Sequence, residues 1–244
     1  MWPYPKLIAH RGAGLLAPEN TLAALREGAR LGYRMAEYDV KLTADQVPIL
    51  LHDDTLERTS TGSGRASQFS LKQLSNLDFG AWHSPPFAGE PIATLSSIAA
   101  YTLANGIFSS IEIKPEPELE AATGRKVAEA AARLWKNADA PPLLSSFSVL
   151  ALEAARQAAP HLPRMLLIDG PVPEDWKLRL QALGCAGMDI DLPQVNATLI
   201  SAVHANGYRI RAWTVNEPAQ ARQFLLWGCD AVFTDAIDRI APGD

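Results

Sequence analysis

Short apolar segments rich in branched residues alternate with amphipathic helical patterns along this chain of 244 residues, and that alternation restricts its possible folds most. Helical patterns such as 21–31 and 218–227 lie between segments that predict β-strands. Strands alternating with helices are typical of a parallel sheet covered by helices. The predicted strands are 6–10, 35–40, 108–113, 143–147, 164–168, 186–190, 208–213 and 230–234.

Eight strand–helix units predict an α/β fold, a closed (β/α)8 TIM barrel. An open doubly wound sheet is the alternative, because the number of strands does not establish closure. The last four predicted strands begin 22 residues apart, close to the minimum for a strand, a helix and two loops. The sixth residue, counted from the start of each of these strands, should lie at the carboxyl-terminal rim, where barrels place their chemistry. They are Asp169, Asp191, Trp213 and Asp235.

Segment 53–93 interrupts the alternation of predicted strands and helices. It is rich in Ser, Thr, Gly and Pro, carries a short helical signal at 70–77, and is too long for an ordinary loop. We therefore expect one catalytic domain over 1–244, with 53–93 as a small insertion over the barrel mouth. Its aromatic residues would form either an apolar lip or the core of the insertion; they are Phe69, Phe79, Trp82 and Phe87.

The composition excludes several classes of protein. A net charge of −5 without a basic cluster argues against a nucleic-acid partner. No run of 18 apolar residues predicts a membrane span, and Lys6, His10 and Arg11 stand where a signal peptide would be apolar. We expect a cytoplasmic protein without stable membrane association, in which Cys185 and Cys229 are small buried residues.

Carboxylates are concentrated at the ends of two predicted strands. Glu37 and Asp39 lie two residues apart and therefore on one face of their strand, and Glu112 ends the next barrel strand. Three carboxylates at one rim suit a hard divalent cation such as Mg²⁺ or Ca²⁺.

A hairpin is predicted to add a histidine to this group. The chain continues after the second strand as a second extended run, with a turn centred between Asp45 and Gln46. That centre would place His52 opposite Asp39, with Cβ atoms about 5 Å apart.

The first predicted strand ends in His10, Arg11 and Gly12, which supply a titratable group, a fixed cation and a flexible turn. With Arg11, Lys114 and one divalent cation, the three carboxylates leave a single net positive charge. A monoanionic phosphodiester would neutralise this charge, and two imidazoles would supply acid and base.

Six motifs together resemble the glycerophosphodiester phosphodiesterase family, in its bacterial cytoplasmic type. The match runs in order over nearly the whole chain. The motifs are HRG at 10–12, PENT at 18–21, EYDVKLT at 37–43, HDDTLERTS at 52–60, EIK at 112–114 and WTVN at 213–216. The hairpin turn departs from the family, which usually carries Asp-Gly where this chain has Asp45-Gln46.

The resemblance implies a TIM barrel that hydrolyses glycerophosphodiesters, such as glycerophosphocholine and glycerophosphoethanolamine, to sn-glycerol 3-phosphate and an alcohol. It implies particular roles for individual residues. The catalytic pair would be His10 and His52, the metal ligands Glu37, Asp39 and Glu112, and the substrate contacts Arg11, Lys114 and Trp213. Glu19 and Asp235 would contact members of this set and hold them in position. Asn20 or Thr21 would cap the first helix.

Two other functions remain open at this point. The same metal site could cleave a lysophospholipid, with the aromatic residues of 53–93 as an apolar lip. A barrel that only binds a phosphate ligand would need no pair of histidines at the metal rim. The expected partner is a small molecule, and the protein is expected to be a monomer or homodimer.

Overall fold

The computed structural model describes residues 2–242, and its strands follow the predicted order. Within this range nine strands are present: β1 (Leu7–Ala9), β2 (Met35–Leu42), β3 (Pro48–Leu50), β4 (Phe108–Ile113), β5 (Leu143–Ser146), β6 (Arg164–Ile168), β7 (Gly187–Asp191), β8 (Arg209–Trp213) and β9 (Ala231–Thr234). Eight of them are parallel, and β3 is an antiparallel partner of β2.

The parallel strands close into a barrel, because β1 pairs with both β2 and β9. Every residue of β2 is buried, with one face toward the barrel interior and the other toward the surrounding helices. The open-sheet alternative is therefore wrong, and the predicted (β/α)8 barrel is confirmed.

Helices cover the outside of the barrel. They are α1 (Leu22–Arg30), α3 (Leu95–Ala104), α4 (Glu120–Leu134), α5 (Val149–Ala158), α6 (Trp176–Leu183), α7 (Ala197–Ala205) and α8 (Pro218–Leu226), whereas the short α2 (Leu71–Leu74) lies in the segment between β3 and α3. Thr21 caps α1 by accepting a hydrogen bond from the Ala24 amide at 3.1 Å, which leaves Asn20 free for another contact. Residues 235–242 form bends and turns, so no helix follows β9 within the described chain.

The 22-residue rhythm is kept through β6, β7 and β8. Leu167 lies beside Asp189, and Asp189 beside Arg211. The next pair, Arg211 and Ala231, is only 20 residues apart, so the register shifts by two at β9. The Arg211 guanidinium donates two hydrogen bonds of 2.6 Å to the Asp189 carboxylate, and both side chains are completely buried.

The predicted hairpin register is wrong by one residue. Val40 lies opposite Leu50, and the Leu51 amide donates to the Asp39 carbonyl, so Leu51 takes the place predicted for His52. The turn contains three residues, with Gln46 in the left-handed region at φ 57°, and its centre is therefore Asp45. A turn with an odd number of residues shifts every pair by one.

The segment from β3 to α3 has an apolar core of its own, against the barrel. It contains α2 and two 3-10 turns, Ala66–Gln68 and Pro85–Phe87. Its buried residues are Ile49, Leu51, Leu56, Ala66, Leu74, Phe79 and Ile92. Phe79 is buried and Phe69 packs on this core, whereas Trp82 is partly exposed. These contacts favour a core rather than a lip for Phe69 and Phe79.

Both cysteines are free thiols buried in the structure. Burial raises the pKa of Cys185 and of Cys229 to about 12, so neither is a reactive thiolate. No helix among residues 2–242 is long and apolar enough to cross a membrane.

Candidate active site

A cavity of about 370 Å³ opens among the loops that follow the carboxyl ends of the barrel strands. It is lined by His10, Arg11, Glu37, His52, Glu112, Lys114, Ser145, Phe147, Leu167, Asp169, Trp213, Thr214 and Phe233. Seven of the predicted site residues therefore share one cavity, and Asp39, Glu19 and Asp235 contact members of this set. Asp191 is not among the lining residues.

Three carboxylates form the floor of the site. Glu37 and Asp39 lie on β2, and Glu112 lies directly opposite Asp39 on β4. One oxygen from each of the three lies within 4.8 Å of the others. The alternation of side chains along β2 turns Glu37 and Asp39 to the same side, as the sequence predicted.

Two of these carboxyls resist ionisation. Burial and the charge of Asp39 raise the pKa of Glu37 to about 8, and the same two causes raise the pKa of Glu112 to about 7. In addition, Glu37 Oε1 is buried and has no hydrogen-bond partner among residues 2–242. A divalent cation would stabilise the ionised forms and accept that oxygen as a ligand, so the three residues fit a hard cation.

Asp39 differs from the other two because cations and an amide surround it. Asn20 Nδ2 donates to Asp39 Oδ2 at 2.8 Å, and the Asp39 amide donates to Asn20 Oδ1 at 2.9 Å. Burial alone would raise the pKa of Asp39, but Arg11, His52 and Lys114 outweigh it and lower the pKa. Asp39 is therefore ionised, and Asn20 fixes its orientation.

The imidazole of His10 is held by the carboxylate of Asp235. The strand β1 ends at Ala9, one residue before the predicted end at His10. His10 instead begins a 3-10 turn. His10 Nδ1 lies 2.7 Å from Asp235 Oδ1, and His10 Nε2 lies 3.8 Å from Glu37 Oε2. Burial lowers the pKa of His10, but the Asp235 hydrogen bond and the Glu37 charge outweigh it, and the pKa is raised.

Asn216 fixes Asp235 in turn. Its Nδ2 donates to Asp235 Oδ2 at 3.2 Å, and its Oδ1 accepts from the Asp235 amide at 2.8 Å. Both Asn216 and Asp235 follow barrel strands, so the closing strands of the barrel orient the His10 imidazole.

His52 reaches the same cavity although the hairpin register was predicted wrongly. It stands two residues beyond β3, and its Nδ1 lies 2.7 Å from Asp53 Oδ1. The pKa of His52 is lowered, mainly by burial and further by the charges of Arg11 and Lys114. The charge of Asp39 acts in the opposite direction but does not outweigh them. The two imidazoles thus differ: His10 favours the protonated form more than His52 does.

Arg11 and Lys114 supply the positive charge of the site. The Arg11 amide donates to Glu37 Oε2 at 3.0 Å, its Nη1 donates to Glu19 Oε1 at 2.8 Å, and its Nε lies 3.6 Å from Asp39 Oδ2. Lys114 Nζ lies 2.9 Å from Glu112 Oε1 and 3.9 Å from Asp39 Oδ1. Both cations therefore border the carboxylate floor.

Gly12 gives the Arg11 turn its shape. Its φ is +94°, and an added Cβ would lie 2.9 Å from Ala24 Cβ and 2.9 Å from Leu25 Cδ2. Only glycine combines that conformation with such close packing on α1. The packing fixes the turn that presents His10 and Arg11.

Aromatic side chains form one wall of the cavity. Trp213 meets Phe147 edge to face with 5.6 Å between ring centroids, and Lys114 Nζ lies 5.3 Å from the centroid of Phe147. Trp213 was predicted as a site residue, whereas Phe147, which follows β5 directly, was not. No part was predicted for Asp53 or Asn216, although the position of Asp53 next to His52 in the sequence is a signal that could have identified it.

A family model described as the glycerophosphoryl diester phosphodiesterase family matches residues 10–239. The chain belongs to this family. It is therefore an enzyme, a phosphodiesterase of the hydrolase class.

Individual relatives agree with this assignment over more than nine-tenths of their length. The enzyme is 31% identical over 240 residues to the Bacillus subtilis protein YhdW, and the alignment covers 96% of both chains. A glycerophosphodiester phosphodiesterase of Caldanaerobacter subterraneus is 31% identical over 94% of this chain and 93% of its own. A phosphodiesterase of Oleispira antarctica, solved with its product sn-glycerol 3-phosphate, matches with a TM-score of 0.89 and 34% identity, over 97% of this chain and 95% of that one.

Proposed function

We propose that the enzyme hydrolyses glycerophosphodiesters, such as glycerophosphocholine and glycerophosphoethanolamine, to sn-glycerol 3-phosphate and an alcohol. One observation carries the proposal: two carboxylate-held histidines face one cavity whose floor is three clustered carboxylates. Family membership and the product bound by the Oleispira antarctica phosphodiesterase support this substrate class. We also propose that 1–244 is one catalytic domain, with 53–93 inserted in it.

The phosphodiester would lie between Arg11 and Lys114. Both side chains border the carboxylate floor, and charge-assisted hydrogen bonds from them would stabilise the negative charge that grows on the phosphoryl oxygens during attack. Trp213 would pack against the glycerol group, as an aromatic wall suits its carbon face.

The two histidines would move the protons. Because Asp235 and Asp53 occupy the Nδ1 atoms, the Nε2 atom of each ring is the one available for exchange. One imidazole would remove the proton of the attacking oxygen, and the other would protonate the departing alkoxide. The attacking oxygen is either that of water, which gives sn-glycerol 3-phosphate directly, or that of the glycerol hydroxyl, which gives a cyclic phosphate that water then opens. An alkoxide is a poor leaving group, so this acid is needed.

Glu37, Asp39 and Glu112 would hold one divalent cation, Mg²⁺ or Ca²⁺. When bound, the cation supplies Lewis-acid stabilisation of phosphoryl charge. The chain's own contribution is to keep Asp39 ionised through Asn20 and Arg11 and to keep the other two carboxylates close to it.

The test is release of sn-glycerol 3-phosphate from glycerophosphocholine, glycerophosphoethanolamine and glycerophosphoglycerol. We expect activity with added Mg²⁺ or Ca²⁺, loss of activity after chelation, and a fall in kcat of about 10²–10⁴-fold in His10→Ala and in His52→Ala. His161→Ala is the matched control, because His161 is exposed and outside the cavity. Normal turnover by either of the first two variants, or undiminished activity after exhaustive chelation, contradicts the proposal.

A further inference from the structure

Arg58 bridges two carboxylates that come from different parts of the chain. Its Nη1 and Nη2 donate to Glu19 Oε2 and Oε1 at 2.7 and 2.8 Å. Its Nε and Nη2 donate to Asp53 Oδ2 and Oδ1 at 2.6 and 2.9 Å. One guanidinium thus makes four charge-assisted hydrogen bonds, two to each carboxylate.

Each of these carboxylates holds a different residue of the cavity. Asp53 Oδ1 lies 2.7 Å from His52 Nδ1, and Glu19 Oε1 accepts from Arg11 Nη1 at 2.8 Å. A continuous chain of contacts therefore runs from the His52 imidazole through Arg58 to the Arg11 guanidinium. His52 and Arg58 belong to the segment after β3, whereas Arg11 and Glu19 follow β1.

The geometry needs a planar, forked cation at this position. Two carboxylates held close together repel each other, and a guanidinium can pair with both at once through separate edges. The Arg58 hydrogen bond is the largest cause that keeps the pKa of Asp53 far below its usual range. A lysine ammonium carries the same charge but cannot bond both carboxylates in the same bidentate manner.

We propose that Arg58 is a positioning residue that sets the orientation of His52 through Asp53 and of Arg11 through Glu19. The inference rests on the proposed phosphodiesterase function. It gives the inserted segment a part in the reaction: the insertion supplies the clamp that aligns a proton-transfer group with a phosphate-binding cation.

Removal of the clamp should affect turnover more than substrate affinity. Arg58 does not line the cavity, so its loss removes no substrate contact, whereas a misaligned imidazole slows the chemical step. We expect Arg58→Ala to lower kcat by about 10–100-fold with a change in KM of less than about 3-fold, because displacement by about 1 Å costs up to about 10²-fold in rate. Arg58→Lys should recover only part of this loss.

Arg65→Ala is the matched control. Arg65 is an exposed arginine of the same segment, and its side chain makes no ion pair or hydrogen bond among the described residues. We expect wild-type kcat and KM for this variant. If the wild-type enzyme and Arg65→Ala release no product, the proposed function fails; if both are active and Arg58→Ala matches them, only the present inference fails.

A double-mutant cycle separates positioning from a general loss of stability. In an Asp53→Asn or a Glu19→Gln background, Arg58→Ala should reduce kcat by less than it does in the wild type, because part of the contact chain is already broken. Full additivity in both backgrounds overturns the inference. Guanidinium ion added to Arg58→Ala should restore part of kcat, and Arg58→Lys keeps the question testable if the alanine variant folds poorly.

Discussion

At the scale of single residues, a carboxylate binds the Nδ1 atom of each of the two histidines that line the cavity. Asp235 binds Nδ1 of His10, and Asp53 binds Nδ1 of His52, both at 2.7 Å. Asp235 is part of a barrel strand end and is held by Asn216, whereas Asp53 is a neighbour in sequence and is held by Arg58. A residue that follows the last barrel strand therefore contacts one imidazole, and a residue of the segment between β3 and α3 contacts the other.

Replacement of Asp235 by asparagine should impair His10 without removing its neighbour. An asparagine amide can donate to Nδ1 and so favour the tautomer with the proton on Nε2. We expect kcat to fall by about 10²–10⁴-fold, the usual contribution of a positioned acid or base. The pKa of His10 should also fall, because the Asp235 hydrogen bond raises it. Steady-state kinetics and an NMR titration of the imidazole measure the two effects.

Asp230→Asn provides the comparison for this variant. Asp230 also binds a histidine, His204, at 2.8 Å, but neither lines the cavity. The kcat of Asp230→Asn should stay close to that of the wild type. A wild-type kcat for Asp235→Asn would show that the carboxylate does not orient His10.

At the scale of elements, the β2–β3 hairpin shows which part of the site could be read from the sequence. The alternation along β2 correctly placed Glu37 and Asp39 together, since side-chain direction is a local property of a strand. The register of β3 was predicted wrongly, because it depends on whether the turn has two or three residues. That choice was decided by Gln46 adopting a left-handed conformation, which the residue type does not favour.

The turn leads to a prediction about stability. Gln46 has φ 57°, a left-handed conformation that glycine adopts at no steric cost. Gln46→Gly should stabilise the fold by about 0.5–1 kcal/mol, because relief of left-handed strain of about 1–2 kcal/mol exceeds the added entropy cost of about 0.5–1 kcal/mol. Thermal unfolding should show a rise of about 1–4 °C. Gln46→Ala keeps the strain and should show no rise; an equal rise in both variants would contradict the explanation.

At the scale of the whole molecule, the pairing of β2 with β4 inside the barrel brings the carboxylates together at a cost. Glu37, Asp39 and Glu112 are buried side by side, and the pKa values of Glu37 and Glu112 are raised to about 8 and 7. A carboxyl whose pKa is raised on folding contributes most stability below its unfolded value of 4.5. That contribution falls as the pH rises above 4.5, and it is lost once the pH has passed the folded-state pKa values of about 7 and 8.

A bound cation should reverse this dependence. It binds the ionised carboxylates and displaces their protons, so its stabilising effect should grow as the pH rises from about 5 to about 8. At about 100 times Kd the added stability is about 2.7 kcal/mol, which corresponds to about 5–10 °C in Tm. Thermal unfolding with chelator and with Mg²⁺ or Ca²⁺ over this pH range measures the difference.

Glu37→Gln is the control for the cation effect. It removes one charge from the cluster and should weaken both the stabilisation and its growth with pH. A cation effect of equal size at pH 5 and pH 8 in the wild type would place the cation elsewhere.

The sequence by itself determined the strand–helix alternation, the position of nearly every strand, and the set of polar residues at the strand ends. These features are local, since periodicity and side-chain alternation depend on neighbouring residues only. Motifs such as HRG at 10–12 and EIK at 112–114 carried the family resemblance for the same reason.

Only the tertiary structure decided which catalytic group each supporting residue contacts. Barrel closure placed Asp235 against His10, although 225 positions separate them in the chain. The fold of the segment between β3 and α3 likewise placed Arg58 between Glu19 and Asp53. Contacts of this kind arise from the packing of distant segments around a common core, and no local pattern in the sequence encodes them.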